Sequence, residues 1–193
     1  MEIFEHPHLS LYILLLFCIF IISIMCIFPF LSTSDDNFNL YKSDVSKMTT
    51  FKIFITIFLN NLRVMFLIMS LGILGVRLVP IIFIIANSYM AANVISMVKS
   101  PELVFAILFP HGYFEFSILF FCGACSLIII EEIKKTGLNA VTLLTKHKNP
   151  RIRFVLKNYL LYPYIFIVVP GVFITAVIES TFSFWNLRIL VGV

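Results

Sequence analysis

His111 and Glu115 stand four residues apart in the run Pro110-His111-Gly112-Tyr113-Phe114-Glu115. On a helix that spacing puts both side chains on one face, one turn apart. Such a pair can ligate a metal, join a base to the group that orients it, or relay protons. The apolar stretch that follows runs on to Ile130, so the pair is expected near the head of a membrane helix. An ionisable side chain in a span costs about 3 kcal/mol or more, and by default it is read as functional.

The chemistry open to the pair depends on what can join it. A zinc site takes three or four protein ligands, and His111 and Glu115 supply two. The other histidines, His6, His8 and His147, fall at the N-terminus or in a loop. The cysteines, Cys18, Cys26, Cys122 and Cys125, all lie inside apolar runs. Cys122 is nearly in line with His111 but about 16 Å further along the helix. A divalent metal at His111 and Glu115 would therefore need asparagines, another glutamate or backbone groups, and no cofactor is expected. Cys122-Gly-Ala-Cys125 has C-x-x-C spacing without the polar helix start that redox motif requires, so it reads as small residues packing a helix contact.

Three roles stay open for the pair. One is a buried polar clamp between helices. Another is catalysis, with Glu115 as base and His111 as acid or ligand. The last is proton or solute transfer. The same network is expected to include Asn60, Asn61 and Arg63, then Asn87, and Glu179 near the end of the last apolar run. Asparagine in a membrane helix mostly bonds across to a neighbouring helix. Arg63 needs a counter-charge, for which Glu115 and Glu179 are candidates, or a path outward to the interface. Gly72, Gly75, Ser88, Ala92 and Ser96 give small faces at helical spacing, which let helices pack closely.

Positioning these residues falls to a membrane bundle. The 193 residues are 61% hydrophobic and only 12% charged, about half the charged share of a soluble domain. Several apolar runs exceed the roughly 18 residues that mark a spanning helix. The expected fold is an all-α, polytopic bundle of about five helices in one membrane domain. Its spans fall near residues 9–31, 52–75, 78–98, 111–130 and 159–180. The flank before the first span has no Lys or Arg, and no A-x-A site follows it, so a retained span is expected rather than a cleaved leader. Gly75-Val-Arg77-Leu-Val-Pro80 is expected to break the long second apolar run into a tight hairpin. Residues 103–110 are too short to cross the membrane alone, and read as a re-entrant or interfacial piece feeding the His111 helix. Pro163, Pro170 and Gly171 are expected to bend the last span.

Residues 131–157 hold seven of the 14 basic residues. The positive-inside rule makes that loop cytoplasmic, which puts the N-terminus inside, the C-terminus outside, and His111 and Glu115 near the outer face. Glu131 and Glu132 can pair with Lys134 and Lys135, extending the fourth helix past the membrane. The basic stretch lacks the interleaved aromatics of a nucleic-acid surface. Anionic lipid or a cytoplasmic protein suits it instead.

The residues also carry a family resemblance. Asn60-Asn61-Leu-Arg63-Val, Gly72-Ile-Leu-Gly75, Asn87, the His111-Gly112-x-x-Glu115 block and Ile178-Glu179 resemble the stage II sporulation protein M family. They resemble most its H-G-x-x-E branch, formerly classed as a domain of unknown function. The chain departs from it at Asn87-Ser88 and Ala92, where the family often has glycine. The resemblance implies an integral membrane protein of about five helices. It also implies settings: a scaffold working with cell-wall hydrolases in sporulation, or a subunit beside an ABC-type ATPase in peptide or bacteriocin maturation and export. Three functions follow as expectations: a non-enzymatic membrane subunit, an intramembrane hydrolase or peptidase-like enzyme using His111 and Glu115, or a small transporter. The first is preferred, so the chain is not expected to be an enzyme.

Overall fold

A computed structural model describes residues 2–31, 50–97, 101–135 and 150–183, with the backbone alone at 94, 97, 101–111, 151, 182 and 183. Every element among them is helical. A short 3-10 turn, Glu2–Glu5, leads into α1 (Leu9–Ile27), followed by α2 (Thr50–Leu71), α3 (Leu78–Met97) and α4 (Pro101–Lys135). The last helix, α5, covers residues 150–183 and opens as Pro150–Val155. Four stretches are long and apolar enough to cross a membrane: Leu9–Phe30, Thr50–Leu74, Gly112–Lys135 and Ile152–Thr181. The described apolar part of α3, Leu78–Asn93, is shorter.

The α2–α3 turn shows why the sequence folds as it does. After a 3-10 turn at Gly72–Leu74, Gly75 takes a left-handed conformation, φ 74°, and donates its N–H to the Gly72 carbonyl at 3.1 Å. A Cβ disfavours that conformation, so glycine ends the helix there. Three residues later α3 begins at Leu78.

Two helices are longer than the apolar runs suggested. The fourth begins at Pro101 and not at Pro110, giving 35 residues, or about 52 Å against a hydrocarbon core of about 30 Å. Proline suits the first helical turn, where its missing N–H would have had no partner. Both prolines carry that signal, and Pro101 takes the role. Pro110 then lies inside the helix and leaves the Ala106 carbonyl without its usual donor, a defect membrane helices tolerate. Residues 103–110 are thus backbone of α4 and not a separate re-entrant piece.

The last helix starts at Pro150 rather than near Tyr159 and absorbs Pro163 by widening. Wide i→i+5 turns, Leu156–Leu161 and Tyr164–Val168, flank Pro163, which cannot donate to the carbonyl one turn back. A third such turn closes the helix at Glu179–Ser183. Both ends of the predicted basic loop are therefore helical, and residues 136–149 lie outside the described residues.

The centre of the bundle is α4, which packs on all four other helices. Every side chain from 119 to 130 is buried, as expected of a helix apolar all round. Phe17 against Phe120 (5.8 Å between ring centroids) and Phe20 against Phe116 (4.6 Å) set α1 antiparallel to it. Small residues allow the close approach. A Cβ on Gly72 would come 2.7 Å from the Ser126 backbone oxygen, and one on Gly123 would come 2.7 Å from Leu16 Cδ1. Cys122 and Cys125 are buried and free, packed in this layer.

Candidate functional site: two polar clusters on the central helix

Glu115 is the predicted site residue whose surroundings the structure describes best. Its carboxyl is near enough to the Asn61 side chain for the amide to act on it, across the α2–α4 contact. Glu179 of α5 is near enough for the two carboxyl charges to act on each other. Three helices thus bring an amide and two carboxyls to one region. Next to Asn61, Tyr164 of α5 donates its hydroxyl to the Leu62 carbonyl of α2 at 3.1 Å, a second polar link between these helices. All three cluster side chains are part-buried. Carboxyls so placed are suited to holding a proton or to gripping a neighbouring helix by hydrogen bonds.

The other predicted members stand elsewhere. His111 lies in α4 one turn before Glu115, and its side chain is outside the described residues. Asn60 is exposed, as is Arg63, which pairs with neither Glu115 nor Glu179 among the described residues. An exposed arginine fits the outward path considered for it. Asn87 donates to the Phe83 carbonyl of its own helix at 2.8 Å. It is satisfied locally, and does not need Glu115. Among the described residues no group of three or more His, Cys, Asp or Glu converges as a metal site would require.

A second cluster lies at the other end of the apolar layer and was not anticipated. Glu131 Oε2 accepts from the Tyr12 hydroxyl at 3.0 Å and meets His8 Nδ1 at 3.0 Å. Glu132 Oε1 faces His6 Nε2 at 3.5 Å. The Lys135 ammonium bridges both carboxylates, at 3.1 Å from Glu131 and 2.8 Å from Glu132. Tyr159 of α5 closes one side, edge-on to His6 at 6.1 Å. The expected pairing of Glu131 and Glu132 with lysine is thus made by Lys135, while Lys134 is exposed. The sequence signal was a His-x-His before the first span and a Glu-Glu at the end of the fourth. Nothing in their spacing links them, because His8 and Glu131 are 123 residues apart.

The two clusters are separated by 16 residues of α4, Glu115 to Glu131, which is about 24 Å. Residues 119–130 fill the interval with apolar and small side chains. Polar groups at each end of a slab of nearly membrane thickness, with apolar helices around it, define a polytopic helical membrane protein. A family model for stage II sporulation protein M matches residues 13–184, and the chain belongs to that SpoIIM family. No curated protein and no solved structure matches it.

Proposed function

We propose that this chain is a non-enzymatic membrane subunit that holds partner proteins in a cell-envelope complex. The setting is sporulation-type wall remodelling with cell-wall hydrolases, or peptide or bacteriocin maturation and export beside an ABC-type ATPase. The observation that carries the reading is the meeting of Asn61, Glu115 and Glu179 from α2, α4 and α5. Polar groups used in this way fix how helices sit against one another. Family membership supports it. The basic segment between α4 and α5 is the surface offered to a cytoplasmic partner, with the N-terminus on that same side and His111 and Glu115 toward the other.

A second reading, an intramembrane hydrolase or peptidase-like enzyme, is favoured by one feature. Glu115 and Glu179 lie near enough for their charges to act on each other, and neighbouring carboxyls can divide acid and base roles. Glu115→Gln and His111→Ala separate the two readings. Under the scaffold reading both variants leave any envelope activity in proportion to the amount of complex assembled, measured by co-purification from membranes. Variants that insert and assemble at wild-type levels yet abolish activity would sink it and leave the enzyme reading standing.

A further inference from the structure

The seam between α1 and α4 is packed at its base and open along its outer edge. Phe20 lies against Phe116 at 4.6 Å and against Phe120 at 5.4 Å, and Phe17 meets Phe120 edge-on at 5.8 Å. Phe20 and Phe120 are buried, whereas Phe17 is 47% exposed and Tyr113 67% exposed. Together they line a groove of about 500 Å³, which also takes in Ser10 of α1 and Ser117 of α4. The two helices run antiparallel, so from Tyr113 to Phe120 and on from Phe17 to Ser10 the groove follows the seam for about 21 Å. All of it falls within the stretches of α1 and α4 that are apolar enough to cross a membrane.

The walls say what can fill it. Water held inside a protein needs two to four polar partners, and apolar space stays dry. Ser117 has no hydrogen to offer, because its hydroxyl donates to the Tyr113 carbonyl at 2.7 Å. A helix from another protein is a poor fit as well. Where helices of this chain approach most closely glycine makes the room, Gly72 at Ser126 and Gly123 at Leu16, as membrane helix contacts generally require. The groove instead presents five aromatic rings, with Ser10 and Ser117 as the small residues of its lining. A single hydrocarbon chain can lie between the Phe17 and Tyr113 rims on the floor of Phe20 and Phe120. There it gains contacts that an empty groove forfeits. Tyr113, Ser117 and Phe121 follow one another on one face of α4, and Phe4 already lies over Phe121 at 6.1 Å. The chain's own apolar side chain covers that part of the face, and the groove is the part left for another.

We propose that this groove binds one acyl chain of a bilayer lipid, retained along the α1–α4 seam while the lipid on the other apolar faces exchanges freely. The site stands apart from the Glu115 region, and it does not depend on the partner-holding role.

The test uses the full chain in phosphatidylcholine nanodiscs that include a phosphatidylcholine with a diazirine at mid-chain. After irradiation the labelled residues are mapped by mass spectrometry. Leu14 and Phe17 line the groove, while Leu11 and Ile22 are comparably exposed on the same helix but outside it. The expected result is about four-fold more label on Leu14 and Phe17 than on Leu11 and Ile22, the occupancy ratio that burying one further methylene gives. Ser117→Phe and Ser10→Phe each place a ring in the groove, and both positions are exposed, so the bundle has room for the change. Either should bring Leu14 and Phe17 down to the level of Leu11 and Ile22, whose own labelling stays constant and reports that the chain is still inserted. Equal labelling of all four residues in the wild type overturns the proposal, since freely exchanging lipid would give that result. So does weaker labelling of Leu14 and Phe17, which a second copy seated on the groove would produce, or an excess that survives either substitution.

Discussion

The two ends of α4 handle charge in opposite ways. At Glu131 and Glu132 each carboxylate meets both a cation and a histidine, and Glu131 also takes a tyrosine hydroxyl. At Glu115 the described partners are one amide and a second carboxyl, with no cation paired among the described residues. The first arrangement is what the edge of a membrane allows, where water shares the load and pairs form cheaply. In the second, the groups must be satisfied by one another, so helix positions and polar contacts specify each other. The comparison teaches that the Glu115 end is the sensitive part of this fold and the Glu131 end the adjustable one.

The largest effect should come from breaking the slab between them. Gly72→Val places side-chain atoms against the Ser126 backbone, which cannot move aside as a flexible side chain would. The expected cost is about 3 kcal/mol, read as a lowered unfolding midpoint in mixed micelles. A wild-type midpoint would show that α2 and α4 do not approach as described.

Next in size is the contrast between the carboxylates themselves. Glu115→Ala leaves Asn61 without its partner and should lower the midpoint more than Glu131→Ala, whose surroundings can rehydrate. Glu115→Gln should be milder than Glu115→Ala, because an amide can still bond Asn61. Equal effects of Glu115→Ala and Glu131→Ala would erase the distinction between the ends.

Asn87→Ala should cost about 0.5 kcal/mol or less, since its side chain only supplements the hydrogen bonding of its own helix. A loss as large as that of Glu115→Ala would return Asn87 to the interior network. Smallest of all is Lys135→Ala, an exposed partner whose removal should leave the midpoint essentially in place and whose residual effect should vanish at high salt.

Much of this was readable from residue types. The α2–α3 hairpin followed from Gly75 and Pro80, because a left-handed turn wants glycine and a helix start accepts proline. The candidacy of Glu115 followed from its setting in an apolar run. What could not be read depended on alternatives that share one local signal. Pro101 and Pro110 both look like helix starts, and only the packed bundle shows that Pro110 is interior. Around Pro163 the helix continues through wide turns on either side, an accommodation that residue type alone does not specify. The pairing of His6 and His8 with Glu132 and Glu131 is a product of antiparallel packing between the first and fourth helices, which no short-range pattern encodes. Asn87 shows the reverse limit, a membrane asparagine whose type suggested a partner across helices and whose geometry provides one within its own.

The central claim is that Glu115 works by holding α4 to its neighbours. A double-mutant cycle with Asn61→Ala and Glu115→Ala, by reversible unfolding in mixed micelles, measures it most directly. The account predicts a coupling of about 0.6–1.7 kcal/mol, the range of hydrogen bonds between membrane helices. Strictly additive losses would contradict it, since two side chains that stabilise the bundle independently are not holding one another.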